Sequence, residues 1–169
     1  RATTKAQQTQ EDKQILSIGP YFAFKGGVNA QNVQLGRKNE VSVYPVPDFG
    51  IQTFYALFDD YSLGLAVDLG YSAYSYTLID ERFDDKYNFH FGYLTLSPNV
   101  YFLFFNMGFT IGYPVNADYG ENIPTEDVGV MAEFKVGFTY PILYDEDVAM
   151  NVFVNAGYML TGIYENYAK

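Results

Sequence analysis

The chain has 169 residues, room for one domain, and its 49% hydrophobic against 18% charged residues supply enough apolar material to fold it. A formal charge of -10 with only 10 Lys and Arg excludes nucleic acid as a partner, because phosphate binding needs clustered cations. With no Cys and a single His there is no disulfide framework and no thiolate metal site, imidazole sites are poor, and no cofactor is expected.

In chain order, the opening "RATTKAQQTQEDKQ" is polar and reads as a disordered tail over 1–14, with any signal peptide already removed or outside the sequence. No apolar run approaches the roughly 18–20 residues of a membrane helix, the densest being "VYFLFF" at 100–105. Seven segments instead show a period of two, at about 15–25, 44–58, 61–76, 87–102, 106–114, 128–143 and 148–162. The fold class is therefore all-β, and 15–169 form one domain. In "YSLGLAVDLGYSAYSY" Leu63, Leu65, Val67 and Leu69 share one face, and Gly64, Ala66, Asp68, Gly70 and Ser72 the other. The other strands repeat this division of large apolar against small or polar.

Tight turns are expected at 58–61, 102–106 and 144–148, and long polar loops at 26–43, 78–87 and 115–127. That asymmetry is the pattern of outer-membrane barrels, with short periplasmic turns and long outer loops. Volume points the same way. Some five large side chains per strand overfill a soluble eight-stranded bore, so the leucines face outward. About 11 residues per strand, tilted near 45°, rise roughly 25 Å, the height of a barrel's apolar band. Aromatic residues gather toward strand ends as two girdles, Tyr71, Tyr74, Tyr76, Tyr87, Phe89, Tyr93, Tyr113 and Tyr158 toward the loops, and Phe58, Tyr61, Phe102, Tyr140 and Tyr144 toward the turns.

The segments "LSIGPYFAFKGGV", "PDFGIQTFYAL", "GLAVDLGYSAYSY", "YLTLSPNVYF", "MGFTIGYPVNAD" and "VGVMAEFKVGFTYPI" together resemble the outer-membrane β-barrel domain of Bacteroidetes-type bacteria. The resemblance spans nearly all of the chain from residue 15. It implies an antiparallel up-and-down transmembrane barrel of eight strands in the outer membrane, and no catalytic residues. Seven strands leave the edges unpaired, so an eighth is expected beyond Lys169, or from a partner chain. Pro20 and Pro98 fall inside strands, where bulges are expected beside them.

By alternation Lys25, Gln52, Asp68, Asn99, Tyr101, Glu133, Lys135, Asn151 and Asn155 point inward, a polar network that plugs the lumen. Lys135 is expected to contact Asp68 or Glu133, since isolated charges there would be costly. Following His90 there is no Ser until Ser97, and no acid stands at a recognisable spacing, so it reads as an interfacial ring rather than a catalyst. Asp80, Glu81, Asp84 and Asp85, with Asp118, Glu121, Glu126 and Asp127, are weak candidates for Ca²⁺ or Mg²⁺ bridging to lipid phosphates, without EF-hand spacing. The expected function is a non-enzymatic structural or accessory envelope protein, its partners outer-membrane lipid, lipopolysaccharide and other outer-membrane or periplasmic proteins. A lipid A-modifying barrel enzyme and a soluble β-sandwich or lipocalin-like binder are the alternatives.

Overall fold

The computed structural model describes residues 16–28, 37–43, 45–58, 62–118, 128–144 and 148–161. They form antiparallel sheet, with no helix among them. The strands are β1 (Leu16–Ala23), β2 (Gly26–Gly27), β3 (Arg37–Glu40), β4 (Ser42–Val43), β5 (Asp48–Ala56), β6 (Leu63–Asp80), β7 (Asp85–Phe102), β8 (Phe105–Asp118), β9 (Met131–Tyr144) and β10 (Ala149–Met159). The main sheet runs β1-β5-β6-β7-β8-β9-β10, with β3 paired to the far end of β6, while β2 and β4 form a small ribbon.

Each of the seven period-two segments holds one long strand. Three further strands lie in the expected loop 26–43. The expected loop 78–87 is a correction too: β6 and β7 stay paired out to Asp80↔Asp85, leaving only Glu81 to Asp84 as the turn. Asp84 takes a φ of 56° there, which a short polar side chain tolerates. Leu103 and Phe104 alone join β7 to β8, so that turn is tight as expected. The tail 1–14 and the turn residues 59–61 and 145–147 lie outside the described residues.

Neither expected bulge is found. β1 pairs with β5 in unbroken register through Pro20, whose missing N–H is harmless on an edge strand, and β6 pairs through Pro98. The register shifts fall between Gly92 and Tyr93, opposite Pro114, and between Met150 and Asn151, opposite Pro141. There the proline ends one run of the ladder and an extra residue restarts it.

The exposed face of the sheet is the apolar one. Leu69 is 64% exposed, Phe22 70% and Val154 71%, while Ala66, Ser72, Ser97 and Thr110 on the opposite face are buried. The sheet curls strongly around that inner face, since Tyr74 of β6 reaches Glu133 of β9 and Lys135 of β9 reaches Ser97 of β7. Two facing glycines show how tight the curl is. A Cβ on Gly70 would lie 2.5 Å from the Tyr21 hydroxyl and 2.8 Å from the Cα of Gly50, its cross-strand partner. β1 and β10 remain the sheet's two edges and do not pair with each other among the described residues.

Candidate functional site

The curled inner face is filled in two layers. Nearer the long hairpin of β6 and β7, Phe91, Tyr93 and Met131 are almost wholly buried with Ala117 and Val128, and Tyr74, Tyr76, Phe89 and Met159 pack against them. Tyr76 stacks on Phe89 with ring centroids 4.7 Å apart, and Tyr74 meets Tyr93 edge-on at 5.7 Å. Such contacts add about 0.5–1.5 kcal/mol per pair beyond area burial.

This layer corrects the girdle expected at the loop end. Tyr74, Tyr76, Phe89 and Tyr93 pack on the curled inner face, and of that expected girdle only Tyr71, Tyr113 and Tyr158 face outward. At the turn end Phe58, Phe102 and Tyr140 are exposed, joined by Phe104, Phe105 and Phe138. Tyr61 and the Tyr144 side chain lie outside the described residues.

The second layer is polar. Gln52 Nε2 donates to Asp68 Oδ1 at 2.8 Å and to the Tyr101 hydroxyl at 3.1 Å, and Asn99 Nδ2 donates to Asp68 Oδ2 at 2.8 Å. Asn99 also reaches the Ser97 carbonyl, and Ser97 Oγ lies 2.8 Å from Thr110 Oγ1. Both oxygens of a half-buried carboxylate thus receive an amide, the condition under which a buried charge is tolerable.

Lys135 does not make the expected contact. No ion pair joins it to Asp68 or Glu133, and its ammonium donates instead to Ser97 Oγ at 3.3 Å. The reason is that neutral donors already occupy both carboxylates: two amides hold Asp68, and the Tyr74 hydroxyl donates to Glu133 Oε2 at 2.6 Å. Lys25 is the cation in direct contact with an interior carboxylate, 2.9 Å from Asp48 Oδ2. It donates to Ser72 Oγ at 2.6 Å and sits 3.6 Å above the Tyr74 ring. Ser72 Oγ and the Ala73 N–H complete the shell of Asp48.

Asn151 and Asn155 share the inner face yet are exposed, because β10 is an open edge and nothing described covers it. Sequence reasoning missed Asp48, Ser72, Tyr74, Ser97 and Thr110. Their parity alone places them inside, but a serine or tyrosine inside a strand carries no sign of its partner.

Two of the candidate metal ligands are engaged with cations. Asp80 lies 3.8 Å from Arg37 Nε, and Glu81 pairs with Lys38. Among the described residues no group of three His, Asp or Glu side chains converges. Glu121, Glu126 and Asp127 lie outside the described residues. His90 stands on the outer face of β7, directly opposite Ser75 on β6 and Asp118 on β8, so a Ser and an acid do lie beside it.

No family model, no curated protein and no solved structure matches the chain.

Proposed function

We propose that the chain is a small outer-membrane β-barrel protein with a plugged interior, a structural or accessory element of the bacterial envelope and not a channel. One observation carries this reading: the sheet is inverted, large apolar side chains out and polar ones in. In water, each side chain such as Ile18 (73% exposed) or Leu94 (57%) would forfeit on the order of 1.5–3 kcal/mol. Forgone at this many positions, that gain exceeds the about 5–15 kcal/mol by which domains are stable, whereas a lipid surround supplies it.

The ends of the strands support the same placement. The outer apolar band runs from exposed Phe58, Phe102 and Phe105 to Leu94 and Tyr113; beyond it the outer face presents exposed Asn88 and half-buried His90, with Ser75 and Thr77 covered beside them. That is the sequence of environments met on leaving a bilayer. Because seven antiparallel strands alternate in direction, β1 and β10 run the same way. One added strand, antiparallel to both, closes the barrel and covers Asn151 and Asn155.

The test is gel mobility of unheated and boiled protein in detergent, with detergent withdrawal as a second readout. A heat-dependent shift and precipitation without detergent are expected. A monodisperse, detergent-free protein with one mobility would overturn the reading in favour of a soluble sandwich.

A further inference from the structure

Beyond the apolar band, the outer face holds an arrangement that the filled interior does not use. Ser75, His90 and Asp118 are direct partners in two adjacent ladders, Ser75↔His90 and His90↔Asp118, so the three side chains stand in one row on one face. Opposed residues of this kind have Cβ atoms about 4.5–5.5 Å apart, a span that rotamer choice alone closes to a hydrogen bond. Asp118 is in the row only because of the register shift between Gly92 and Tyr93. Continuing the Tyr93↔Pro114 register without it would bring Ala117 opposite His90 and turn Asp118 inward.

Ser75 is itself unusual. It is 5% exposed, and its Oγ makes no hydrogen bond among the described residues. A buried hydroxyl in that state is destabilising, a cost that Ala at the same position would avoid. The neighbouring row toward the apolar band is Ala73, Gly92 and Asn116. The Tyr71 hydroxyl donates to Asn116 Oδ1 at 3.4 Å, which orients the amide and leaves Nδ2 as a donor. Tyr71, Leu94 and Tyr113 follow, where the apolar surface begins.

We infer that this row is a hydrolytic site for the carboxylic ester of an acylated amphiphile whose chain lies along the apolar band. Ser75 Oγ adds to the ester carbonyl carbon while its proton passes to His90, and Asp118 holds the imidazole. The tetrahedral adduct collapses, and the departing alkoxide takes the proton from His90. Water then adds to the acyl-serine, losing its proton to His90, which returns it to Ser75 as the acid leaves. One ester and one water give one carboxylic acid and one alcohol. Asn116 Nδ2 is the donor available to the oxyanion. In this structure Ser75 Oγ and His90 Nδ1 are both covered and neither atom is hydrogen-bonded among the described residues, so the alignment and the access that the reaction needs form only as substrate enters.

The inference rests on the membrane placement proposed above and reverses the expectation that the chain is non-enzymatic. Its test uses the full chain in detergent micelles, a long-chain p-nitrophenyl ester as substrate and a long-chain alkyl fluorophosphonate as covalent probe. Wild type should release p-nitrophenolate and take the label at Ser75. Ser75→Ala and His90→Asn should each lose at least about 10³-fold in turnover, and Asp118→Asn about 10²–10⁴-fold, all keeping the heat-dependent mobility shift. Release of free fatty acid from phospholipid vesicles or from lipopolysaccharide, assayed separately, would identify the source of the ester. A folded, heat-shifting wild type that takes no label at Ser75, or a Ser75→Ala variant with undiminished turnover, overturns the hydrolytic site and leaves the barrel reading standing. Absence of the heat shift removes the membrane placement, and this inference with it.

Discussion

Two amides hold Asp68 and a phenol holds Glu133, while a lysine, Lys25, is paired with Asp48 alone, and this sets which substitutions matter. Tyr74→Phe removes the donor to Glu133 Oε2 and leaves a buried carboxylate without its hydrogen bond. A bond to a charged group is worth about 1.5–3 kcal/mol, and that is the expected loss in equilibrium urea unfolding from micelles. Lys135→Met removes one long hydrogen bond to Ser97 and no ion pair. Its expected cost is about 1 kcal/mol, near that of an ordinary hydrogen bond. If Lys135→Met proved the more damaging of the two, the lysine would be the true partner of the interior acids, and the hydrogen-bond arrangement described above would be wrong.

Among the elements, parity was the most legible feature and height along a strand the least. Alternation through Leu65, Val67 and Leu69 puts Ser72, Tyr74 and Tyr76 on the opposite face, and Leu94 and Leu96 do the same for Phe91 and Tyr93. Counting those aromatics as a girdle followed their position near strand ends and ignored their parity. The hairpin from Thr77 to Asn88 was illegible for another reason. Its own Asp80 and Lys86 pair with Arg37 and Glu40 of β3, and charges on both faces look like a loop until the register is known. Pro114 marks where the extra residue in β8 falls but does not give the register, so the side on which Asp118 falls could not be read.

Two predictions belong at this scale. Gly70→Ala places a methyl against the Tyr21 hydroxyl and the Gly50 backbone, which cannot move aside, so the variant should lose about 1–3 kcal/mol in the same unfolding titration. An Ala variant as stable as wild type would mean that β5 and β6 are less sharply curled than described. The turn at Glu81 to Asp84 should face the cell exterior, so trypsin added to intact cells should cut after exposed Arg82. Protection of Arg82 in sealed cells, with cleavage after lysis, would invert the orientation.

For the molecule as a whole, the deciding quantity is whether water can pass through the curl. Two layers lie in series across it: the aromatic layer around Phe91, Tyr93 and Met131, and the polar layer of Gln52, Asp68, Asn99 and Tyr101. In the closed barrel proposed above, a bore of about eight strands is just wide enough for side chains to fill, so either layer alone would block it. Phe91→Ala empties most of one layer. Its side chain is 1% exposed, and truncation at such sites costs about 3–5 kcal/mol. The amides and carboxylate of the other layer remain bonded to each other, which keeps that cross-section closed. The expected outcome in planar bilayers is therefore no steady current from wild type and none from Phe91→Ala, although the variant unfolds at lower urea. Adding Asn99→Ala frees Asp68 Oδ2 and opens the polar layer as well, so only the double variant should show intermittent cation-selective currents, carried past the exposed carboxylate. Stable, sizeable currents from the wild type would mean that the two layers move apart in the membrane and that the protein is a pore.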